Sequence, residues 1–139
     1  MSLIRLVYAS ESRLVDANRR AELDTILADA RRLNDRSGIT GFLLATKEAF
    51  AQVLEGPQDS VTETYGRIVI DPRHQAVRLL IQEPIAARSF PSWAMGIAER
   101  DETTNFIFGL YGVSPEQDLH TQPPDILVDL AHEIAQRHA

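Results

Sequence analysis

The segment Phe50-Ala51-Gln52-Val53-Leu54-Glu55-Gly56 places a carboxamide, Gln52, inside a run of mostly apolar residues. An earlier segment, Leu3-Ile4-Arg5-Leu6-Val7-Tyr8-Ala9-Ser10, places a phenol, Tyr8, in a similar run. If both segments are β-strands, alternation puts each polar side chain on the face of the apolar residues two positions away. A buried amide or phenol costs free energy unless it is hydrogen-bonded. We therefore expect a polar partner over this face of the sheet.

Length and composition restrict the class of protein. The chain has 139 residues, which suits one domain with an appendage, and its 44% hydrophobic and 24% charged residues are ordinary for a folded protein. A formal net charge of −6 disfavours binding to nucleic acid, because it gives no basic field. The chain contains no cysteine, which excludes disulfides, thiolate catalysis and cysteine-ligated metals.

The N-terminal residues lack the layout of a signal peptide. Met1-Ser2-Leu3-Ile4-Arg5 leads directly into a segment with the pattern of a strand. No apolar run approaches the roughly 20 residues that a membrane-spanning helix needs. The sequence therefore predicts a cytoplasmic protein without a membrane segment.

The first half of the chain predicts a strand, a helix and a hairpin. Residues 2–9 form the strand, and apolar residues at three- and four-residue steps over 16–33 predict a helix, with Asp16 as its N-cap and Ser37-Gly38 as its end. Two further strands, 39–45 and 49–54, are close enough in sequence to form a hairpin.

The second half predicts another helix and two more strands. Ser60 and Glu63 have the spacing of a capping box, which would begin the helix. A strand over 76–81 is followed by a predicted turn at Glu83-Pro84 and by a fifth strand over 93–98. The order βαββαββ predicts an α+β, ferredoxin-like fold with a five-stranded mixed sheet and two helices on one face.

The last part of the chain predicts further helices. Residues 103–105 are expected to cap a short helix that ends near Tyr111, and Pro124 is expected to open a longer one. Apolar residues of the longer helix form one stripe, Ile126, Leu127, Leu130, Ala131 and Ile134. The stripe covers the second face of the sheet or mediates self-association.

Five sequence motifs follow one another along the chain. They are Leu6-Val7-Tyr8-Ala9-Ser10, the run from Asn34 to Gly41, Phe50-Ala51-Gln52-Val53-Leu54-Glu55-Gly56-Pro57, Asp71-Pro72-Arg73-His74 and Phe90-Pro91-Ser92-Trp93-Ala94-Met95-Gly96. In this order they resemble the BLUF family, the blue-light sensors that use a flavin, over about residues 3–98. The resemblance implies a flavin-binding domain over 1–99 and a C-terminal helical extension over 100–139.

The resemblance implies a bound flavin, FAD or in its place FMN or riboflavin, held between the two helices. By this analogy the Tyr8 hydroxyl bonds the Gln52 side chain, Gln52 bonds the flavin edge, and Asn34 bonds the adjacent ring positions. Trp93 and Met95 would transmit the signal. The residues expected to contact the flavin are Tyr8, Ile26, Arg31, Asn34, Phe50, Gln52, Arg67, Ile68, Asp71 and His74.

The resemblance also implies a function without a chemical substrate. The expected protein is a photoreceptor and not an enzyme: light rearranges the hydrogen bonds around Gln52, and the change reaches a partner protein or alters a homodimer or larger homo-oligomer. Leu33 and Ala30 depart from the residues common at their positions in the family, which affects flavin affinity or tuning.

Two other functions remain open from the sequence. One is a small acylphosphatase-like hydrolase on the same architecture, for which Arg13 would be the anion-binding arginine. The other is a light-insensitive scaffold derived from the family. The four histidines are scattered and lack the spacing of metal ligands, so no metal site is predicted.

Overall fold

A computed structural model describes residues 2–91 and 95–137 of the chain. Its strands are β1 Leu3–Ser12, β2 Thr40–Ala45, β3 Ala49–Pro57, β4 His74–Ile85 and β5 Gly96–Glu99. Its α-helices are α1 Arg19–Ser37, α2 Gln58–Val69, α3 Asn105–Leu110 and α4 Pro124–Arg137. Two short 3-10 turns, Asp16–Asn18 and Leu119–Thr121, precede α1 and α4.

The five strands form one mixed sheet in the order β4-β1-β3-β2-β5. All neighbouring strands run antiparallel except β2 and β5, which are parallel. The βαββαββ order and the ferredoxin-like α+β class predicted from the sequence are therefore confirmed. The central strand, β3, is buried along almost its whole length because helices cover both of its faces.

Each face of the sheet has its own hydrophobic core. On one face, α1 and α2 pack Leu23, Leu27 and Val61 against β1, β2 and β3. On the other face, α4 and α3 bury Leu127, Leu130, Ala131, Ile134 and Phe108. Four residues of the predicted apolar stripe of α4 thus cover the sheet, whereas the fifth, Ile126, is only partly buried and lies outside this core. Each fully buried leucine there contributes about 1.5–3 kcal/mol.

Two predicted helix starts are wrong. Asp16 lies in the 3-10 turn, and α1 begins three residues later at Arg19. Ser60 lies inside α2, which begins at Gln58 directly after Pro57, so the serine caps nothing. The predicted end of α1 is correct, because Gly38 follows it with a φ of 70°, a left-handed conformation that favours glycine.

The fourth strand is longer than predicted. It runs through Glu83-Pro84, where the sequence predicts a turn, and Pro84 pairs with Ile4 of β1. Since β4 is an edge strand, the missing N–H of a proline can face outward without breaking the sheet. The fifth strand begins at Gly96, later than predicted, and residues 92–94 lie outside the described part of the chain.

A buried carboxylate holds the connection between β4 and β5, which lie at opposite edges of the sheet. The Glu55 side chain is fully buried and accepts hydrogen bonds from Arg5 Nε (3.0 Å) and from the backbone amides of Ser89 (2.8 Å) and Phe90 (3.0 Å). A buried charge is tolerated only when it is paired and hydrogen-bonded in this way. Glu55 therefore fixes where the connection crosses the sheet.

The same connection packs under α4. The Phe90 ring is buried, with its centroid 5.8 Å from that of Phe42 on β2 and 6.1 Å from that of His132 on α4. Arg88 fixes the connection from outside by donating to the Glu55 and Gly38 carbonyls. The C-terminal helix and the segment that leads into β5 are therefore in direct contact.

Substitution of Glu55 by alanine should destabilise the protein strongly. The change removes the buried acceptor of the Arg5 guanidinium and of the Ser89 and Phe90 amides, so we expect the free energy of unfolding to fall by about 3 kcal/mol. Urea denaturation followed by circular dichroism measures the change.

Glu83→Ala is the matched control, because Glu83 also pairs with Arg5, at 3.6 Å, but its side chain is 42% exposed. It should cost less than about 1 kcal/mol. Equal losses in the two variants would show that burial of Glu55 and its amide contacts do not matter.

Candidate functional site

A cavity of about 250 Å³ opens between α1, α2 and the sheet. Its size is near the lower end of the range for small-molecule sites, about 300–1,000 Å³. Its floor comes from β1, β2 and β3, and its walls come from the two helices and the loop that follows α2. The lining residues are Tyr8, Ile26, Asp29, Ala30, Arg32, Leu33, Asn34, Leu43, Phe50, Gln52, Leu54, Thr64, Arg67, Ile68, Asp71, Arg73 and His74.

Tyr8 and Gln52 are hydrogen-bonded to each other on the cavity floor. They are direct partners in the antiparallel register of β1 and β3, and the Tyr8 hydroxyl donates to Gln52 Oε1 over 2.6 Å. Both side chains are buried, with relative exposures of 4% and 6%. The hydrogen bond that the resemblance implied between these two side chains is thus present.

The other end of the Gln52 amide faces a thioether. Gln52 Nε2 donates to Met95 Sδ over 3.2 Å, and Met95 is buried just before β5 begins. A thioether is a weak hydrogen-bond acceptor. The amide is therefore held firmly at its oxygen and weakly at its nitrogen.

Burial keeps the Tyr8 hydroxyl protonated. Loss of solvent raises the pKa of Tyr8 far above its ordinary value, and the negative charge of Asp71 and the neighbouring Tyr65 raise it further. The Tyr65 ring centroid lies 5.8 Å from that of Tyr8. At neutral pH, Tyr8 is a neutral phenol that donates its hydrogen bond to Gln52.

His74 forms part of the cavity wall next to Tyr8, and both of its ring nitrogens lie within hydrogen-bonding distance of a partner. Its Nε2 lies 2.7 Å from the Ile68 carbonyl oxygen, which can only accept, so this nitrogen carries a proton. Its Nδ1 lies 2.8 Å from the Ser10 hydroxyl. The ring therefore connects the end of α2 to β1 and stands edge-on to Tyr8 and Phe50.

Charged side chains surround the mouth of the cavity. Arg73 donates to both carboxylate oxygens of Asp71, and these hydrogen bonds lower the pKa of the Asp71 carboxyl. Arg67 donates to Glu63 (3.1 Å) and to Thr64 (3.2 Å) from the last turn of α2. The mouth can therefore hold a polar or anionic group while the floor stays mostly apolar.

The structure places most of the predicted site residues around this cavity. Among the residues expected to contact the flavin, the exception is Arg31, whose Nε instead donates to the Met95 carbonyl over 3.0 Å. Trp93, the second residue predicted to transmit the signal, lies outside the described residues. The predicted residues that line the cavity are Tyr8, Ile26, Asn34, Phe50, Gln52, Arg67, Ile68, Asp71 and His74.

Sequence reasoning missed several lining residues. Leu54 lies two residues after Gln52 on the same strand face, and Thr64 lies one helical turn before Ile68, so both were within reach of a pattern argument. No strand or helix pattern predicts that Arg73 and Arg32 line the cavity, because their place at the mouth depends on how the loop after α2 packs against α1.

The chemistry of the cavity fits a flat ring system with one polar edge. Aliphatic side chains from both helices and the sheet suit the faces of such a ring, while Gln52 and Asn34 each offer an amide with a donor and an acceptor. The arginines at the mouth suit a phosphate-bearing tail. Tyr8, Gln52 and Asn34 would hold the polar edge of a flavin.

Comparisons with known proteins agree with this reading. The family model for BLUF, "Sensors of blue-light using FAD", matches residues 3–96. The chain is 33% identical to the dark-state structure of BlrB, a BLUF protein, with a TM-score of 0.78, covering 99% of this chain and 98% of that one.

Two curated relatives are much longer than this chain. The photoactivated adenylate cyclase subunit beta of Euglena gracilis is 36% identical over 106 residues, 76% of this chain and 12% of that protein. The blue light- and temperature-regulated antirepressor BluF of Escherichia coli is 32% identical over 111 residues, 76% of this chain and 27% of that protein.

Two further properties concern the class of protein. Over residues 2–91 and 95–137, no helix is both long and apolar enough to cross a bilayer. The matched family is one of blue-light sensors, and the cyclase activity is named for the Euglena relative, of which the matched region is 12%. With a family match over most of its length, the chain belongs to the BLUF family, the sensors of blue light using FAD.

Proposed function

We propose that this chain binds FAD in the cavity between α1 and α2 and signals blue light through the Tyr8–Gln52 pair. The observation that carries the proposal is the continuous buried contact from the Tyr8 hydroxyl through the Gln52 amide to Met95, at the floor of that cavity. FMN or riboflavin would occupy the same ring site, since the floor contacts involve the ring alone.

The protein contributes two groups: the Tyr8 hydroxyl, which can give up a proton, and the Gln52 side-chain amide, whose orientation can reverse. When bound, the flavin supplies the absorption of blue light and the acceptor for an electron. Tyr8 would be the residue that donates this electron and its hydroxyl proton to the flavin, and it would recover both in the dark. Gln52 meanwhile reverses or tautomerises, which exchanges the donor and the acceptor that it presents to its neighbours.

The remaining predicted residues divide between the ring and the tail. Asn34 would bond the polar ring edge, and the apolar side chains of Ile26, Phe50 and Ile68 would pack against the ring. Arg67 and Asp71 would hold the ribityl and phosphate groups, and His74 forms the cavity wall beside Tyr8. The Asp71–Arg73 pair keeps Asp71 ionised, as an acceptor for hydroxyl groups of the tail.

The output passes through Met95 and β5 to the C-terminal helices. Residues 1–99 act as the flavin-binding domain, and residues 100–139 carry the change to a partner protein or to a second copy of the chain. The relatives named as a cyclase subunit and as an antirepressor support the idea of varied outputs. Trp93 stays a predicted participant, and a cytoplasmic location is part of this proposal.

Sedimentation velocity of the flavin-loaded chain, in the dark and under blue light, separates the two forms of output. A light-dependent change of assembly assigns the output to a homodimer or larger homo-oligomer. One assembly state under both conditions assigns it to a different partner protein.

The hydrolase alternative finds no support at this site. Arg13, its expected anion-binding residue, is not one of the residues that line the cavity. The lining side chains of the floor are an amide, a phenol and hydrocarbons, which suit a ring better than an acyl phosphate.

Removal of the Tyr8 hydroxyl should abolish the light response without loss of the flavin. Tyr8→Phe keeps the ring on the cavity floor but removes both the proton and the bond to Gln52, at a cost of about 1 kcal/mol in stability. We expect a yellow protein whose absorption band shows no reversible red shift under blue light, measured by difference spectroscopy.

Tyr65→Phe is the matched control, because its ring lies 5.8 Å from that of Tyr8 while its hydroxyl makes no contact with Gln52 in this structure. It should keep the red shift. A shift that survives in Tyr8→Phe would contradict the mechanism, and a wild-type protein that binds flavin without any shift would favour the light-insensitive scaffold.

Removal of the Arg67 guanidinium should weaken the binding of phosphorylated flavins selectively. A charged hydrogen bond to phosphate is worth about 1.5–3 kcal/mol, so Arg67→Gln should raise the Kd for FAD and FMN about tenfold or more. The Kd for riboflavin should stay unchanged. Fluorescence titration of flavin-free protein measures all three.

Arg36→Gln is the control, since Arg36 is an exposed arginine near the end of α1 and is not one of the cavity-lining residues. An equal loss for all three flavins in Arg67→Gln would mean that Arg67 supports the ring or the helix and not the phosphate.

A further inference from the structure

Arginine side chains of helix α1 form hydrogen bonds at both ends of β5, the short edge strand that follows Met95. At the start of the strand, Arg31 Nε donates to the Met95 carbonyl over 3.0 Å. At its end, Glu99 accepts from Arg19 Nε (2.8 Å) and from Arg20 (2.6 Å). A strand of four residues at a sheet edge has few backbone bonds of its own, so these side chains contribute to its position.

The hydrogen bond between Arg31 and Met95 at the start of β5 is linked to the cavity floor through the Met95 side chain. Arg31 fixes the main chain of Met95, and the side chain of the same methionine accepts a hydrogen bond from Gln52. Gln52 in turn accepts from Tyr8. Four residues from four parts of the chain thus form one line of contacts, from the outer side of α1 to the phenol.

The position of Met95 favours one orientation of the Gln52 amide. In the observed orientation the amide oxygen meets the Tyr8 hydroxyl and the amide nitrogen meets the sulfur. The reversed orientation would place the oxygen against the sulfur, which has no proton to donate. The contact with Met95 therefore stabilises the resting orientation, provided that Met95 is held in place.

We propose that Arg31 is a positioning residue that sets the resting orientation of Gln52 by holding the Met95 main chain. Its consequence for the light response depends on the proposed function, but its effect on Met95 does not. This assignment gives Arg31 a role distinct from contact with the tail of the flavin.

A test without any flavin uses the methionine methyl groups. The chain has two methionines, Met1 and Met95, so protein with 13C-labelled methionine methyls gives two resonances. Arg31→Ala removes the donor from an exposed helical position that alanine tolerates. We expect the Met95 methyl resonance to shift and to broaden or split.

Two matched variants complete the test. Arg31→Gln places an amide nitrogen where the arginine Nε stood and should restore the wild-type methyl resonance. Arg36→Ala removes an exposed arginine of the same helix and should leave the resonance unchanged. A Met95 methyl that is identical in wild type and Arg31→Ala would overturn the proposal.

The flavin-loaded protein provides the functional readout. Loss of one hydrogen bond that supports the resting state should slow the thermal return from the illuminated state by about threefold in Arg31→Ala, and Arg31→Gln should return the rate close to wild type. Weaker binding of FAD and FMN but not of riboflavin, with an unchanged methyl resonance, would make Arg31 a phosphate contact instead.

The two proposals can fail separately. A wild-type chain that binds no flavin refutes the proposed function, while the methyl comparison still decides whether Arg31 positions Met95. A red shift that is present in every variant, with unaltered recovery rates, refutes the role of Arg31 and leaves the proposed function intact.

Discussion

The hydrogen bond between Tyr8 and Gln52 is the contact on which the rest of the structure depends. It joins two buried polar groups on neighbouring central strands, and each would cost free energy without the other. It also favours the observed register of β1 and β3, because a slip of one residue in either strand would turn one of the two side chains to the opposite face of the sheet. The fold and the candidate site therefore share one constraint.

The central strand β3 serves both faces of the sheet. Gln52 points to the cavity under α1 and α2, and Glu55, three residues later, points to the opposite face under α4. Between them they hold the two ends of the connection into β5: Glu55 binds the amides of Ser89 and Phe90, and Gln52 binds the sulfur of Met95. Gln52 and α4 therefore contact the same connection, at Met95 and at Phe90 respectively.

This arrangement explains how one sensor can serve different outputs. The contacts that would respond to light lie within the part of the chain matched by the family model, residues 3–96. The elements that we propose receive the change, β5 and α4, lie at the sheet edge and on its far face, away from the cavity. The long relatives, in which the matched region is 12% and 27% of the protein, are consistent with such a division.

The sequence by itself determined the local and alternating features of this protein. Period-2 and helical patterns predicted the strand and helix order, the buried faces of Tyr8 and Gln52, and the apolar stripe of α4, because such patterns arise within single elements. The motifs predicted the family.

Only the tertiary structure decided the contacts between distant elements. The continuation of β4 through Pro84 depends on its place at the sheet edge, and the partner of Arg31 depends on where β5 meets α1. The Glu55 anchor likewise requires the crossing from one edge of the sheet to the other. A linear pattern reports which face of an element is buried, but it carries no information on which neighbour covers that face, since strand order is set by packing of the whole chain.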